Sequence, residues 1–522
     1  MVQRWLTWWL LAAALVVTVP AVRPSALAEA TQPAACPTTA TPLTIPLRTD
    51  GDPLSLVLST NFDDATQLDP QAQPSAKETL RLLQAWHPPL VRLHFGFRSR
   101  VPSLPESVAG QWDFHTTDAA IANLRAGGIT YVLNVRSAPP WMFNRWGRLR
   151  DPSGREFAQY MARLVGWYNK GGFTDEQGQF HASGHQGWVQ TWEIWNEPNS
   201  GYEIPAPVAD PGATWMQARD FGRLYDTVVR AMRAVDPSIR VGGPAMSPGG
   251  DAAYLRNFLA TVRQPIDFVS LHYYPIWRAD APDGDIFAGI GTDLPARIAA
   301  AQAVLAARFA HPPPLWLDEV NLNEGTVGTL DARATAPIGY AFAAQTFAES
   351  LVQHLALTSE FQFVSNAQGG LVDSAGSGAF RAYWLYQLLG HTFPAGSRLL
   401  SATVRAGLVL VVALAPDRQS ISVLLGNTAV ARGDDVGGAG VPQAVCLNLR
   451  DMQGNITFPL VAPARLWRFD AQTRTDALPT PTSLLLPASG QAYAALPLTL
   501  GGYGATILSI PIYAPFSQPF AV

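Results

Sequence analysis

Residues Trp192–Asn199 read Trp-Glu-Ile-Trp-Asn-Glu-Pro-Asn, and this stretch decides how the chain is interpreted. An apolar run ends here in Asn-Glu-Pro, and Pro198 opposes further strand pairing, so we expect a buried strand to stop at this point. The amide of Asn196 and the carboxyl of Glu197 would then lie side by side at the carboxyl end of that strand. Cleavage of a glycosidic bond needs an acid beside the leaving oxygen and a hydrogen bond to the neighbouring hydroxyl. The strand and its tryptophans argue against a merely solvated Glu-Pro turn.

Eight short apolar runs, each followed by an amphipathic run, fill the chain between residues 54 and 392. Strands separated by helical stretches indicate a parallel sheet, and eight such units predict a (β/α)8 barrel, the TIM barrel. The predicted strands are Leu54–Leu58, Leu90–His94, Ile129–Val135, Val189–Asn196, Ile239–Gly243, Phe268–His272, Leu315–Glu319 and Phe361–Val364. An open doubly wound sheet is the alternative. It would want a glycine-rich phosphate-binding turn after an early strand, which this sequence does not have.

After residue 393 the helical periodicity stops and short alternating apolar runs follow, separated by Gly, Asp, Asn and Pro. This pattern predicts an all-β antiparallel sandwich. We therefore divide the chain into a signal peptide (1–28), a Pro/Thr-rich linker (29–53), a catalytic barrel (54–392) and a C-terminal sandwich (393–522). The linker could add a strand to the sandwich.

The first residues are typical of an export signal. A positive Arg4 precedes an apolar run, and Ala26-Leu27-Ala28 offers a cleavage site of small residues. The sequence thus predicts cleavage after Ala28 and a secreted, extracellular chain. An uncleaved N-terminal anchor is the alternative, because the apolar run is nearly long enough to span a bilayer.

The composition narrows the classes of partner. The chain has 522 residues and a formal net charge of −4, so neither a nucleic acid nor an anionic membrane is indicated. A neutral oligo- or polysaccharide fits this balance better. The two cysteines, Cys36 and Cys446, suggest a disulfide in an exported chain, with two unpaired thiols as the alternative. We expect no metal or other cofactor, because His181 and His185 lie in a Gly-rich loop without matching ligands.

Polar side chains occupy the carboxyl ends of several predicted strands, where barrels of this type place their reactive groups. They are Arg92 and His94 on strand two, Asn134 on strand three, Asn196 and Glu197 on strand four, His272 and Tyr274 on strand six, and Glu319 on strand seven. Glu197 and Glu319 should therefore face each other across one barrel mouth.

Other carboxyl groups compete for these roles. Glu324 is a rival nucleophile, but five residues of loop separate it from Glu319 and fix its position less well. Alternation along the strand should turn Asp318 to the opposite side. Glu193 lies deeper on the face of Glu197, so we expect it in a buried ion pair. Arg92, on an apolar strand, needs a carboxylate partner.

Taken together, these motifs resemble those of the clan A glycoside hydrolases, most closely family 39, the β-xylosidases and α-L-iduronidase. The resemblance lies in WEIWNEPN, in VGGPA at 241–245, in DFVSLHYYP at 267–275 and in LWLDEVN at 315–321. It implies that Glu197 is the acid/base, Glu319 the nucleophile and Asn196 the residue that holds the sugar 2-hydroxyl. His272 and Tyr274 match the strand-six pair whose tyrosine bonds the nucleophile.

The remaining substrate contacts are expected from Arg92, His94, Asn134 and Trp195. Candidate aromatic platforms for sugar rings are Trp141, Trp146, Trp195, Trp215 and Trp277. The resulting interpretation is a retaining hydrolase of a β-glycosidic bond, with its two carboxyls roughly 5–5.5 Å apart. The alternatives are a clan A enzyme of family 5, 30 or 51 with another sugar, a carbohydrate-binding barrel without turnover, and a structural or adhesive surface protein.

Overall fold

The computed structural model describes residues 36–48, 50–95, 104–200, 216–247, 252–324, 331–365, 369–451, 463–474, 476–486 and 493–512. Its strands are β1 (Thr41–Leu47), β2 (Asp52–Pro53), β3 (Val57–Phe62), β4 (Leu90–Phe95), β5 (Thr130–Val135), β6 (Lys170–Thr174), β7 (Phe180–Gln186), β8 (Thr191–Ile194), β9 (Arg240–Met246), β10 (Val269–Tyr273), β11 (Leu315–Val320), β12 (Leu357–Glu360), β13 (Val364–Ser365), β14 (Val372–Asp373), β15 (Arg398–Arg405), β16 (Leu408–Leu414), β17 (Ser420–Asn427), β18 (Gln443–Asp451), β19 (Ala464–Phe469), β20 (Thr482–Leu484), β21 (Tyr493–Leu500) and β22 (Ala505–Pro511). Its α-helices are α1 (Ala76–Trp86), α2 (His115–Ala126), α3 (Arg155–Asn169), α4 (Ala218–Val235), α5 (Ala252–Thr261), α6 (Asp283–Ala288), α7 (Leu294–Arg308), α8 (Ile338–Val352) and α9 (Arg381–Thr392).

Eight parallel strands close into a barrel in the order β3, β4, β5, β8, β9, β10, β11 and β12, and this confirms the predicted fold class. The helices between them pack outside through apolar faces. In α4, for example, Phe221, Tyr225, Val228 and Met232 recur at helical spacing and are buried. The carboxyl ends of all eight strands therefore point to one mouth.

The first and eighth barrel strands differ from the prediction, which placed them at 54–58 and 361–364. The first strand starts three residues later, and the eighth, β12, ends before the predicted run begins. β12 reads Leu-Thr-Ser-Glu, and because three of its four residues are polar, it does not form an apolar run that would predict a strand. The apolar run beyond it instead packs at the barrel mouth, where the ring of Phe363 lies 5.2 Å from that of Phe62.

Two further sheets form the predicted sandwich. One has seven strands in the order β2, β15, β16, β17, β22, β19 and β20, and the other has three in the order β1, β18 and β21. All of β16 is buried, because its alternate residues face different cores. Val409, Val411 and Ala413 pack toward the barrel helices, whereas Leu410 and Val412 pack toward the smaller sheet.

The N-terminal part of the described chain is attached to the sandwich. A disulfide joins Cys36 to Cys446 on β18, and β1 runs parallel to β18. Most of the predicted signal peptide and linker, residues 1–35, lies outside the described residues. Within the described ranges, none of the helices combines the length and the apolar character needed to traverse a bilayer.

Helix α8, which follows the strand that carries Glu319, is buried along almost its whole length. It packs against β12 of the barrel and against β15, β16, β17 and β22 of the sandwich. A helix that is apolar all round is expected in such a position. The sandwich therefore lies against the seventh strand–helix unit of the barrel.

Candidate active site

The turn after β8 has an unusual backbone. Trp195 and Glu197 adopt left-handed backbone conformations, with φ of 67° and 47°. Residues other than glycine seldom adopt such conformations. The neighbouring strands hold this turn: the amides of Trp195, Asn196 and Glu197 donate to the carbonyls of Val135, Arg136 and Ala245, each at 2.9 Å. This geometry interrupts strand alternation, so that Asn196 and Glu197 both face the barrel mouth.

The two predicted catalytic glutamates meet at that mouth around His272. One carboxylate oxygen of Glu197, one of Glu319 and a ring nitrogen of His272 all lie within 4.8 Å of one another. The Nδ1 atom of His272 is 2.8 Å from Oε1 of Glu197 and 3.3 Å from Oε2 of Glu319. Both carboxyls are nearly buried, yet they are in reach of the same small volume. This spacing suits a double displacement in which one carboxyl attacks and the other transfers a proton.

Arg92 is the centre of the site and is only 1% exposed. Its Nε donates to Glu193 at 2.7 Å, and its Nη1 donates to Glu319 at 3.0 Å. Its Nη2 donates to Oδ1 of Asn196 at 2.8 Å. One guanidinium thus orients the predicted nucleophile and the amide beside the predicted acid, and the buried ion pair expected for Glu193 is present.

Tyr274 acts on the other oxygen of Glu319, to which its hydroxyl donates at 2.6 Å. Burial acts to raise the pKa of Glu319, but the charges of His272, Arg92 and Arg136 and the hydrogen bond from Tyr274 outweigh it. The pKa of this carboxyl therefore lies below its usual value, and Glu319 is ionised at neutral pH, as a nucleophile must be.

Asp318 does not point away from the site, and our prediction from strand alternation was wrong. The pairing of β11 with β10 shifts register so that Leu271 faces Leu317 but His272 faces Glu319, which leaves Asp318 as the extra residue of a bulge. A bulge re-aims the side chains around it. Oδ2 of Asp318 consequently lies 3.3 Å from Nε of Arg92, in the layer beneath Glu319.

The carboxyls of this lower layer differ in charge. Burial raises the pKa of Asp318 well above its usual value, and the negative charge of Glu193 adds to the effect. For Glu193, burial is outweighed by Arg92 and by the hydroxyl of Ser270, so its pKa is lowered. Glu193 is therefore the ionised partner of Arg92, and Asp318 retains its proton.

His94 and Asn134 belong to the same network. The Nε2 atom of His94 lies 2.8 Å from Nη1 of Arg92, and burial together with the charge of that guanidinium keeps the pKa of His94 well below its usual value. Asn134 donates to Oε2 of Glu193 and to the carbonyl of Trp195, both at 2.8 Å. These two residues support Arg92, Glu193 and the turn after β8.

Glu324, the rival nucleophile, lies close enough to the pair to be affected by it. Burial raises its pKa to about 9, with further contributions from the charges of Glu197 and Glu319. Its amide donates to the carbonyl of Ile276 at 3.2 Å, which joins the loops after β10 and β11. A carboxyl that retains its proton at neutral pH is a poor nucleophile, so the electrostatics favour Glu319.

Comparisons with known proteins agree with this site. Residues 184–353 match the model of glycosyl hydrolases family 39. The chain is 39% identical over 93 residues to a β-xylosidase of Geobacillus stearothermophilus, across 16% of each protein. It is 25% identical over 200 residues to a β-xylosidase of Caldicellulosiruptor saccharolyticus, across 38% of this chain and 34% of that one. Across residues 184–353 the chain is therefore similar to glycoside hydrolase family 39.

The resemblance in fold extends further than the resemblance in sequence. A monomeric β-xylosidase from Caulobacter crescentus CB15 superposes with a TM-score of 0.63 at 18% identity, and the match covers 90% of this chain and 99% of that one. By sequence, however, the matches span only 16% and 34% of the two curated relatives. The family match includes Glu197, His272, Tyr274 and Glu319, whereas Arg92 lies outside it.

Trp195 is the predicted substrate-binding residue that the structure places elsewhere. Its side chain is 1% exposed, and its ring packs against Phe157 at 5.5 Å and Phe143 at 6.2 Å. The left-handed turn directs it into the core behind β8, so it supports the turn by packing. Among the other candidate platforms, Trp146 and Trp277 are about half exposed, and Trp215 is outside the described residues.

Three further residues contact this network, and the two serines among them were not among the sequence candidates. Ser200 lies 3.2 Å from Oε2 of Glu197, and Ser270 donates to Oε1 of Glu193 at 2.5 Å. Oδ1 of Asn61 accepts a bond from Arg92 at 3.1 Å. Ser270 could have been found, because it is two residues before His272 on one strand. Ser200 could not, because it follows the turn.

In the described part of the chain, Glu197, His272 and Glu319 are spaced closely enough to hold a cation. Their other contacts make this an unfavourable site for one. The guanidinium of Arg92 already occupies one oxygen of Glu319, and Tyr274 donates to the other. The donor set is therefore better suited to moving a proton and a glycosyl group than to binding a metal.

Proposed function

We propose that this protein is a retaining glycoside hydrolase, with Glu319 as the nucleophile and Glu197 as the acid/base. The observation that carries the proposal is the convergence of oxygens from these two carboxyls, within 4.8 Å of one another, from strands on opposite sides of one barrel mouth. A carbohydrate-binding barrel would have no need for an ionised carboxylate facing an acid across its site.

In the first step, the ionised oxygen of Glu319 attacks the anomeric carbon and the bond to the leaving oxygen breaks. Glu197 gives its proton to that oxygen, so the leaving group departs as a neutral alcohol. The hydroxyl of Tyr274 and the guanidinium of Arg92 hold Glu319 in position for the attack. Asn196, whose Oδ1 accepts a bond from Arg92, would bond the sugar hydroxyl next to the reacting carbon.

In the second step, Glu197 is a carboxylate and removes a proton from water. The oxygen of that water attacks the anomeric carbon, and Glu319 leaves as a carboxylate. Both carboxyls regain their starting states, and the anomeric configuration is retained. His272, which contacts both side chains, keeps them aligned through the two steps.

We further propose a β-xyloside as the substrate, because the curated relatives are named β-xylosidases. A clan A enzyme of family 5, 30 or 51 would act on a different sugar with the same carboxyls. A panel of aryl β-glycosides that differ only in the sugar separates these possibilities. The proposal expects the highest kcat/KM on the xyloside.

Azide rescue tests the two assignments. With an activated aryl β-xyloside, Glu197→Ala should release the sugar as a β-azide, because azide takes the place of water in the second step. Glu319→Ala should release it as an α-azide, because azide takes the place of the missing carboxylate in the first step. Glu349→Gln is a matched control, since Glu349 is a buried carboxyl on α8 that bonds Gln353. Unchanged turnover in either alanine variant would overturn the assignment, and inactivity of the native protein on every glycoside would favour a binding barrel.

We also propose that the chain is exported. The disulfide between Cys36 and Cys446 supports this, because such bonds persist in oxidising compartments. Fractionation of the native host, with N-terminal sequencing of the mature protein, tests it. Export predicts a protein outside the cytoplasm, either cleaved after Ala28 or anchored by residues 1–28. An uncleaved protein recovered from the cytoplasm would contradict it.

A further inference from the structure

Arg333 lies where the loops after β10 and β11 meet. Its side chain is 3% exposed and donates to the carbonyls of Ala281 at 2.6 Å and Ala279 at 2.9 Å, in the loop that follows Tyr274. It also forms two bonds to Asp331, at 2.9 and 2.8 Å, in the loop that follows Glu319. One guanidinium thus joins two catalytic loops.

The same arginine is connected to the sandwich through Asp283, at the start of α6. Oδ1 of Asp283 accepts bonds from Arg333 at 3.2 Å and from the amide of Gly437 at 2.8 Å. Its Oδ2 accepts bonds from the amide of Gly438 at 2.8 Å and the hydroxyl of Tyr503 at 3.1 Å. Three donors of the sandwich therefore hold the carboxylate that pairs with Arg333.

From Asp331 the connection continues toward the nucleophile. Asn323, four residues after Glu319, donates to Oδ2 of Asp331 at 2.8 Å. Asn323 also pairs with Ile276, two residues after Tyr274, in an isolated parallel bridge. The loop that carries Tyr274 and the loop that follows Glu319 are therefore fixed to each other and, through Arg333 and Asp283, to the sandwich.

Stability alone is a weak reason for such a cluster. Removing these charges from water is costly, and well-packed apolar side chains would stabilise a buried contact of this size at least as well. Charged hydrogen bonds of defined direction do something that apolar packing does not, because they set the positions of backbone carbonyls. Here those carbonyls belong to the loop after the tyrosine that bonds the nucleophile.

We infer that Arg333 is a positioning residue, through which the C-terminal sandwich sets the geometry of Tyr274 relative to Glu319. The inference rests on the proposed hydrolase function. It makes the sandwich part of the catalytic apparatus, although its described residues do not reach the carboxyl pair. Arg333 acts through the loops and need not touch substrate.

The test compares Arg333→Gln with Arg381→Gln in the full chain. Arg381 is a matched control, because it joins α9 to the sandwich through the carbonyls of Thr473, at 2.9 Å, and Asp470, at 3.4 Å. Thermal unfolding and the pH dependence of kcat/KM on an aryl β-xyloside are measured for both. Tyr503→Phe is a milder third variant, which removes only the hydroxyl that donates to Asp283.

For Arg333→Gln we expect kcat/KM to fall about ten- to hundredfold, mainly through kcat, because a misplacement of about 1 Å can have that effect. The acidic limb of the profile should move to higher pH, because Glu319 then accepts a poorer bond from Tyr274. Tyr503→Phe should shift the limb less, in the same direction, and Arg381→Gln should not shift it even where its melting temperature falls equally.

Equal pH profiles for Arg333→Gln and Arg381→Gln would overturn the inference. If Arg333→Gln does not fold, an unshifted limb in Tyr503→Phe would overturn it in the same way. Failure of the proposed function gives a different result, since the native protein would then hydrolyse none of the glycosides.

Discussion

The bond between Tyr274 and Glu319 offers the sharpest test of the site, because one oxygen atom can be removed without changing the shape of the core. In Tyr274→Phe, Oε1 of Glu319 loses a donor at 2.6 Å. A hydrogen bond to a charged group contributes about 1.5–3 kcal/mol. Loss of that stabilisation of the carboxylate should raise the pKa of Glu319 by about one to two units.

The sign follows from the role of the group. The pKa of Glu319 is lowered in the native site, so this carboxylate, the proposed nucleophile, stays ionised well into the acidic range. Without the tyrosine hydroxyl the carboxyl takes up a proton at higher pH, and activity is lost sooner on acidification. The acidic limb of kcat/KM, which reports the free enzyme, should therefore move up by about one to two units.

The assay is a series of initial rates on an aryl β-xyloside across the acidic and neutral pH range, with circular dichroism at each pH to verify folding. Tyr273→Phe is the matched control, because the hydroxyl of Tyr273 donates to Asp293 at 3.0 Å, away from the carboxyl pair. An unmoved limb in Tyr274→Phe, or an equal movement in Tyr273→Phe, would refute this explanation of the lowered pKa.

Three further predictions concern charge and cross-linking. The pKa of Glu324 is raised to about 9 in the folded protein, whereas the unfolded chain releases this proton near its ordinary pKa of 4.5. The free energy of unfolding should therefore fall as the pH rises between these two values. Glu324→Gln should remove this dependence, and urea denaturation at pH 7 should show a protein stabilised by up to about 3 kcal/mol. Arg92→Met leaves buried carboxylates without their partner, so it should abolish turnover and lower the free energy of unfolding by about 3–5 kcal/mol, and a fully stable variant would contradict the assigned ion pairs. Replacement of both Cys36 and Cys446 by serine should lower the free energy of unfolding by about 2–5 kcal/mol, and a reductant should do the same to the native protein but leave the double variant unaffected.

Much of the barrel could be predicted from the sequence, because its helices and most of its strands follow simple periodicities. The prediction was wrong at β12, where the side chains of Ser359 and Glu360 form hydrogen bonds in positions that apolar residues usually fill. Oγ of Ser359, for example, accepts a bond from Asn61, and Glu360 accepts one from Tyr386. Such partners are distant in sequence, so no local pattern identifies the strand.

In the candidate site, too, some residues could be predicted from local motifs, whereas others depend on how distant segments pair. Glu197, Glu319, His272 and Tyr274 could be chosen from motifs, and the structure brings these four together. Alternation failed for Asp318, because a bulge in β11 depends on how this strand pairs with its neighbour rather than on its own residues.

Trp195 illustrates a second reason why sequence was insufficient. It lies between Ile194, the last residue of β8, and Asn196, and a regular strand would direct it to the face opposite that of its neighbours. The left-handed conformations at Trp195 and Glu197 break this alternation. They depend on backbone hydrogen bonds to β5, to Arg136 directly after β5, and to β9. The turn that brings Glu197 to the mouth is also the reason that the tryptophan cannot line it.

The charges beneath the mouth determine which carboxyl can act as the nucleophile. Arg92 contacts Glu193, Asp318 and Glu319, and a single guanidinium cannot neutralise three carboxylates that are all buried. The proton is retained by Asp318, whose pKa burial and Glu193 raise, and this leaves Glu319 ionised above it. If the bulge served only to change the direction of the Glu319 side chain, its extra residue, Asp318, would not need to be a carboxylic acid. By placing Asp318 against Arg92, this bulge puts the neutral member of the group in the buried layer and the charged member where a sugar can reach it.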